Sequence, residues 1–328
     1  MKARALFGFA LLASLGACAC SSGDKKNAAP RFTPGGTVAA GATRDLHTDT
    51  TGLHLTTFTA KALDGAASQG HATDNEIATV DTSLTLKKQL CVVLPERNVK
   101  PGFPLADWVA SKGYHVFQVA YQNDVQISPP GDTDPNTPAD TRMDQFDGKG
   151  RVNWVAIARA DSIEARTEKA LAYLASKDPG GDWGWFLNDD GSVRWADTCF
   201  VGYGYGGSHA AIIARHVTLA RAVSLSAPDA EGRPDATWLT APSTTPLDRL
   251  YAVYGGNDNA QALGSYNDTT ASLGYIGDVF HTTLDAAAGP NPFDGSHRIL
   301  LEEQDHAPFC VTGVDHPPCL YVFGLPQP

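Results

Sequence analysis

The sequence predicts an α/β domain in which a mostly parallel sheet carries helices on both faces. Short apolar runs, typical of strands that are buried on both sides, recur along the chain from residue 84 onward. Segments with helical spacing of their apolar residues separate these runs. The chain has 328 residues, of which 42% are hydrophobic and 19% are charged. This composition excludes a disordered chain and allows a large core.

Strands and helices alternate in chain order. Strands are predicted at residues 84–86, 90–94, 114–121, 199–203, 222–225, 250–254 and 298–301. Helices are predicted at residues 104–113, 161–177 and 208–216. The first helix has Pro104 at its start and Gly113 as its stop, and the second has Asp161 as its N-terminal cap. This order is typical of parallel strands that are joined by crossover helices.

Two segments interrupt that order. Residues 123–150 are rich in Asp, Pro, Gly and Thr, and we predict one long loop there. Residues 227–248 are predicted to be a small insertion after a strand. Either the insertion covers a pocket, with Trp238 pointing inward, or it is an ordinary surface loop.

Charge and residue spacing argue against several kinds of ligand. The 25 basic and 36 acidic residues give a net charge of −11, which argues against nucleic-acid binding. The sequence has no CxxC or HxxxH spacing, so we predict no metal site. The pattern Asp132-x-Asp134-x-Asn136 is similar to a calcium loop, but Thr137 stands where that loop requires glycine. We therefore predict a solvated acidic loop at this place, and no cofactor.

The N-terminal residues are typical of an exported lipoprotein. After a short basic segment, residues 5–17 form an apolar run that is too short to span a bilayer. Small residues then precede Cys18, a pattern that resembles the bacterial lipobox, whose cysteine is lipidated. The predicted segments are a signal peptide at residues 1–17, a flexible tether at 18–44 and a folded domain at 45–328. The resemblance implies an anchor in the cell envelope, and Ala19 favours the outer membrane; an ordinary signal peptide is the alternative.

The other cysteines suggest two disulfide bridges in an oxidising compartment. Cys310 and Cys319 bracket a short loop, so a local bridge is predicted. Cys91 and Cys199 each open an apolar strand, and they can form a bridge only if those strands are neighbours. Buried free thiols are the alternative for both pairs. Cys20 is left without a predicted role.

A glycine-rich turn joins the strand at residues 199–203 to the following helix. Gly202, Gly204 and Gly207 have the spacing of a phosphate-binding G-x-G-x-x-G sequence. A dinucleotide site, however, has this unit first in the fold and an acidic residue at the end of the next strand. Here two strand–helix units come earlier, and the first acid after the next strand is Asp229. Nucleotide binding is therefore disfavoured.

The same turn resembles the nucleophile elbow, G-x-S-x-G-G, of the α/β-hydrolase superfamily. The likeness extends from about residue 84 to the end, and it is greatest to a poorly characterised branch of secreted bacterial hydrolase-like proteins with the elbow Gly-His-Ser-Gln-Gly-Gly-Gly-His-Ala-Ala. The residues that match in register are Gly202, Gly206, Gly207, His209, Ala210 and Ala211. Tyr203 and Tyr205 flank the nucleophile position. That position is Gly204, which carries no nucleophile. The resemblance implies an α/β-hydrolase fold.

The resemblance also implies positions for the remaining catalytic groups. Asp258 follows the strand at residues 250–254 and takes the position of the acid, and His306 follows the strand at 298–301 and takes the position of the base. Taken alone, Asp258 is equally a turn former and His306 a surface histidine. The oxyanion loop is expected at residues 95–98, where the usual His-Gly is absent.

Two classes of function stay open. Gly204 favours a non-catalytic protein that binds a ligand or a partner. The pair of Asp258 and His306 favours a hydrolase that activates a water, or that uses another serine. Ser208 lies one helical turn inside its helix, and Ser226 ends a strand. Four aromatic residues either line a pocket or pack in the core: Tyr203, Tyr205, Trp238 and Tyr254.

Overall fold

The computed structural model describes residues 52–286, 292–306, 310 and 315–327. The predicted signal peptide and tether, with Cys18 and Cys20, lie outside the described residues, as does the domain boundary predicted at residue 45. Every described residue belongs to one compact unit. Within these residues, no helix has both the length and the apolar character that crossing a membrane requires.

A sheet of nine strands forms the centre of the described chain. In chain order, the strands are β1 (Leu53–Thr59), β2 (Asn75–Asp81), β3 (Leu90–Leu94), β4 (His115–Gln118), β5 (Thr198–Tyr203), β6 (Arg221–Leu225), β7 (Leu250–Gly255), β8 (Phe280–Thr282) and β9 (Arg298–Leu301). Their order across the sheet is β1-β2-β4-β3-β5-β6-β7-β9-β8. The pairs β1–β2 and β2–β4 are antiparallel, and the other neighbours are parallel. The carboxyl ends of β3, β5, β6, β7 and β9 therefore meet at one edge.

Helices cover both faces of this sheet, as predicted. They are α1 (Ala60–Leu63), α2 (Pro104–Ala110), α3 (Thr137–Asp147), α4 (Ile163–Lys177), α5 (Tyr205–His216), α6 (Ala260–Ser272) and α7 (Pro317–Val322). Apolar residues of α2 and α7 share one core with Val93 and Val201. Apolar residues of α3, α4, α5 and α6 share the other core with Val92 and Phe200. Successive residues of β3 and β5 thus serve opposite cores, which is why these strands read as continuous apolar runs.

Several predicted elements need correction. No strand forms at residues 84–86, which lie in a turn and an irregular segment between β2 and β3. The predicted loop at 123–150 contains α3, whose buried residues include Arg142, Asp144 and Gln145. Because hydrogen bonds rather than apolar contacts hold that face, the helix has little apolar periodicity in its sequence. Helix α5 begins at Tyr205, three residues before the predicted start.

Helix α4 begins at Ile163 and has a different cap from the predicted one. The Ser162 hydroxyl accepts the amide hydrogen of Ala165 at 3.2 Å, so Ser162 is the cap. The carboxylate of Asp161 instead accepts from the Arg166 guanidinium at 3.1 Å, and both side chains are buried. Asp161 also accepts from the amides of Ser68 and Gln69, so it fixes the start of α4 against the chain before β2.

One of the two predicted disulfides is present. Cys310 and Cys319 are bonded, with their Cα atoms 5.4 Å apart, which confirms the local bridge. Cys91 and Cys199 are buried free thiols, so the second predicted bridge is wrong. Their strands are indeed neighbours, and the two residues lie opposite each other. Neighbouring strands lie about 4.8 Å apart, whereas a disulfide requires a Cβ–Cβ separation of about 3.8 Å.

Candidate functional site

The turn after β5 is a sharp elbow centred on Gly204. β5 ends at Tyr203 and α5 begins at Tyr205, so a single residue joins the strand to the helix. Gly204 has φ 48° and ψ −108°, a conformation that glycine adopts at little cost and that strains other residues. A Cβ on Gly202 would lie 2.0 Å from the backbone of Gly206. The close approach of strand and helix therefore requires glycine at that position too.

Asp258 and His306 meet at the same edge of the sheet. Asp258 lies in the turn after β7, and its Oδ2 atom is 2.6 Å from the Nδ1 atom of His306, which follows β9. The Tyr266 hydroxyl donates to the same oxygen at 3.3 Å, and the amide of Asn259 donates to Oδ1 at 2.8 Å. A carboxylate at Nδ1 holds the neutral ring in the tautomer whose Nε2 accepts a proton. The structure thus brings together the two residues that were predicted as acid and base.

A residue without a predicted role, Glu96, lies in the predicted oxyanion loop after β3. Its Oε1 atom accepts from the amide of Arg97 at 2.7 Å, and both carboxylate oxygens lie 3.1 Å from the amide nitrogen of Tyr205. In an elbow of this kind, the amide after the nucleophile position and an amide of the loop after β3 are the oxyanion donors. The Glu96 carboxylate therefore occupies both donors. The missing His-Gly was the sequence signal that this loop had changed.

Glu96 also takes the space of a side chain at position 204. A Cβ built on Gly204 would lie 1.5 Å from Oε2 of Glu96, close to the length of a covalent bond. A serine and the Glu96 carboxylate cannot both be present in this arrangement. The glutamate in the loop can therefore take this position only because the elbow residue is glycine.

The Glu96 side chain is partly buried beside the elbow. Burial raises the pKa of the Glu96 carboxyl, whereas the amides of Arg97 and Tyr205 and the positive charge of His306 oppose this rise. A pocket of about 190 Å³ lies over the elbow. Its lining residues are Glu96, Arg97, Gly204, Tyr205, Ser208, Ser226, Asp229, Glu231, Tyr266 and His306. Most of its lining residues carry a polar or charged group, so a ligand there would meet several polar partners.

The two alternative serines both line this pocket. The Ser208 hydroxyl accepts the amide hydrogen of Asp229 at 3.0 Å, so it fixes the insertion to α5. Ser226 follows β6 and has φ 47°, a strained conformation for a serine. The hydroxyl of Ser208 is thus engaged in a structural contact, and Ser226 lies one strand away from the elbow, between β5 and β7.

The predicted aromatic residues divide between the pocket and the core. Tyr205 lines the pocket, and the ring of Tyr203 lies 5.5 Å from the ring of His306. Trp238 and Tyr254 belong to the buried core and do not line this pocket. Trp238 was predicted to point into a pocket beneath the insertion, and it packs in the core instead.

The predicted insertion at 227–248 covers part of the pocket through charged residues instead. Glu231 lines the pocket and forms an ion pair with the buried Arg142 of α3 at 2.5 Å. The Arg142 guanidinium lies 4.9 Å from the centre of the Tyr205 ring. The insertion, α3 and the start of α5 are therefore tied together beside Glu96. No group of acidic, histidine or cysteine side chains in the described part of the chain could hold a metal ion.

No protein-family model matches this chain, and neither does any curated protein sequence. Among solved structures, the chain is similar to an alpha-beta serine hydrolase homologue from Coxiella burnetii, with a TM-score of 0.37 and 10% identity, over 73% of this chain and 86% of the other. It is also similar to a proposed dienelactone hydrolase from Klebsiella pneumoniae subsp. pneumoniae, with a TM-score of 0.39 and 11% identity, over 83% and 95%. The order of the strands and the helices on both faces give this chain the predicted α/β-hydrolase fold. Identities this low transfer no activity.

Proposed function

We propose that the protein is a lipid-anchored envelope protein without serine-hydrolase activity, whose pocket binds a ligand or a partner. The observation that carries the proposal is the Glu96 carboxylate, which the amides of Arg97 and Tyr205 hold beside Gly204. Acyl transfer by a serine enzyme requires a hydroxyl at the elbow and two N–H donors that are free for the oxyanion. At this site the hydroxyl is missing and both donors are bound to Glu96.

A second function, hydrolysis by an activated water, is favoured by the pair of Asp258 and His306. His306 lines the pocket while its Nδ1 atom is bound to Asp258, so Nε2 is the ring nitrogen that would accept a proton from water. The water would then attack an ester carbonyl directly, without a covalent intermediate. The oxyanion that forms in this reaction would lack stabilisation, because Glu96 already occupies the two N–H donors.

Hydrolysis of p-nitrophenyl acetate and p-nitrophenyl butyrate distinguishes the two functions. For the non-catalytic protein, we expect wild type and His306→Ala to release p-nitrophenol at the same slow rate. A positioned general base contributes about 10²–10⁴-fold, so a wild-type rate that exceeds that of His306→Ala by this factor would establish the activated-water hydrolase instead. A fluorophosphonate probe is expected to leave the wild type unlabelled; labelling at Ser208 or Ser226 would show a non-standard serine.

The lipid anchor is a separate part of the proposal. It rests on the apolar run at residues 5–17 and on the small residues before Cys18. Cells that express the full chain should incorporate radioactive palmitate into it, and Cys18→Ala should abolish the incorporation, whereas Cys20→Ala should leave it intact. Equal labelling of wild type and Cys18→Ala would contradict the anchor.

A further inference from the structure

We infer that the pocket over the elbow binds a small primary ammonium ion while Glu96 stays in place. The inference rests on the proposed function, because it names the chemical class of ligand for the same pocket. Two independent observations carry it. Carboxylates are in excess around the pocket, and a buried serine hydroxyl in the pocket lining has no hydrogen-bond partner among the described residues.

Carboxylates outnumber guanidinium groups around the pocket. Among the described residues, the acids that line it are Glu96, Asp229 and Glu231. Asp258 lies behind the lining, bound to His306. The guanidinium groups are those of Arg97, in the lining, and of Arg142, which pairs with Glu231. Before any charge on His306 is counted, two negative charges are therefore unbalanced, and they favour a cation over an anion or a neutral ligand.

The acids around the pocket are close enough to repel one another. Burial raises the pKa of the Glu96 carboxyl, and the negative charge of Glu231 contributes to the rise. Burial also raises the pKa of the Tyr266 hydroxyl, and the negative charges of Asp258 and Asp229 raise it further. A cation that binds between these groups reduces their mutual repulsion. The binding free energy of a cation therefore includes a favourable electrostatic contribution.

Two of the acids are held in place by one carboxylate oxygen and keep the other for a ligand. Oδ1 of Asp229 accepts from the Ser265 hydroxyl at 2.5 Å and from the amide of Glu231 at 2.6 Å. Oε1 of Glu231 accepts from Arg142. Oδ2 of Asp229 and Oε2 of Glu231 accept no hydrogen bond within the described residues. An ammonium group has N–H donors and no acceptor, so it matches these free oxygens.

The buried hydroxyl of Ser226 supplies a further acceptor. Ser226 follows β6, lines the pocket and is 1% exposed, yet its Oγ atom has no hydrogen-bond partner in the described part of the chain. The Tyr203 hydroxyl lies close to it, but the two hydroxyls do not form a hydrogen bond of normal geometry. A buried polar atom without a partner is unfavourable. An N–H donor on a bound ligand removes that cost, which favours a primary ammonium over a quaternary one.

The size of the pocket selects a short organic ion. Its volume of about 190 Å³ corresponds to about six water molecules at roughly 30 Å³ each, so a ligand with about six non-hydrogen atoms fits. A metal ion is a poorer match, because the described residues contain no group of acidic, histidine or cysteine side chains that could hold one. An n-butylammonium ion has the required size, charge and N–H donors, and it serves as the probe.

Titration of ¹⁵N-labelled wild type with n-butylammonium chloride, followed by amide NMR at constant ionic strength, tests the inference. We expect the amide resonances of Ser226, Asp229 and Glu231 to shift in a saturable way. Neither n-butanol, which has the same chain without the charge, nor sodium butyrate, which has the opposite charge, should cause a saturable shift. Tetramethylammonium chloride should bind about fivefold or more weakly, because it has no N–H to donate to Ser226.

Two variants assign the binding to particular groups. Asp229→Asn keeps the size of the side chain and removes a negative charge, and Ser226→Ala removes the hydroxyl that has no partner. Each should raise the Kd of n-butylammonium about fivefold or more. Asp235→Asn is the matched control and should leave the Kd unchanged, since Asp235 is exposed in the same insertion and does not line the pocket. The wild-type titration decides the inference even if a variant fails to fold.

The inference is overturned if n-butylammonium causes no saturable shift at these amides, or if n-butanol or tetramethylammonium binds as tightly. It is also overturned if folded Asp229→Asn and Ser226→Ala bind n-butylammonium as tightly as Asp235→Asn. The ester assay is an independent measurement. Binding of n-butylammonium together with His306-dependent hydrolysis supports the ligand class and contradicts the non-catalytic proposal, whereas an inert protein that does not bind n-butylammonium does the reverse.

Discussion

Gly204→Ser is expected to lower the melting temperature of the protein by roughly 5 °C or more, because two costs add. The positive φ of residue 204 strains a serine by about 1 kcal/mol or more. In addition, the new Cβ would lie 1.5 Å from Oε2 of Glu96, so the carboxylate must leave the amides of Arg97 and Tyr205. Losing these two hydrogen bonds to a carboxylate, of which the one from Tyr205 is partly buried, costs about 1 kcal/mol more. Thermal unfolding followed by circular dichroism measures the shift.

Gly191→Ser is the matched control for this variant. Gly191 also has a positive φ, 85°, but nothing lies within 4 Å of the Cβ that a serine would add. Its substitution therefore carries the backbone strain of about 1 kcal/mol without a steric conflict, and its melting temperature should fall by roughly 2–4 °C. If Gly204→Ser raises the melting temperature, or lowers it no more than Gly191→Ser does, the elbow geometry and its conflict with Glu96 are wrong.

The double variant Gly204→Ser, Glu96→Ala is expected to become reactive toward a fluorophosphonate probe. It places a hydroxyl at the elbow, frees the amides of Arg97 and Tyr205, and keeps His306 paired with Asp258 at 2.6 Å. These are the parts that activate a serine and stabilise the charge that develops when it attacks. Intact-protein mass spectrometry detects one adduct, and peptide mapping should assign it to the introduced serine. In Gly204→Ser alone, the displaced Glu96 carboxylate stays on the loop beside the elbow, where its negative charge disfavours the charge that develops on attack, so that variant should react more slowly.

His306→Ala in the double variant is the control for mechanism. Since a positioned general base contributes about 10²–10⁴-fold, labelling should slow by at least about a hundredfold. Labelling that is as fast without His306 would show that the pair with Asp258 does not serve position 204. A folded double variant that reacts no faster than Gly204→Ser would show that Glu96 is not the second obstacle.

The parallel half of the fold was predictable from the sequence because its signals are local. Strands such as β3 and β5 serve both cores, so every residue in them is apolar or small. Helix α3 could not be found in this way, since it buries polar side chains such as Arg142 and Gln145, whose partners lie far along the chain. Strand β1 was missed because most of its residues are partly or fully exposed, which leaves a weak apolar pattern. Apolar periodicity identifies helices and strands that bury apolar side chains. It misses those whose buried side chains are polar and hydrogen-bonded.

The predictable part of the site is the part that depends on the order of the strands along the chain. Gly204, Asp258 and His306 each follow a strand of one parallel sheet, and parallel strands bring such turns to one edge. The contact of Glu96 with the Tyr205 amide was not predictable, because it joins residues 109 positions apart and involves a backbone group that every residue type possesses. The sequence showed only that residues 95–98 lack the usual His-Gly of the oxyanion loop. The structure shows that this difference accompanies the glycine at position 204.

The coupling between Glu96 and Gly204 is the central claim, and one double-mutant cycle tests it directly. The melting temperatures and unfolding free energies of wild type, Gly204→Ser, Glu96→Ala and the double variant give the interaction energy of the two positions. Our account predicts that Gly204→Ser is markedly less destabilising in the Glu96→Ala background, where only the strain of about 1 kcal/mol is left. An equal loss of stability in both backgrounds would mean that Glu96 does not occupy the place of the elbow side chain.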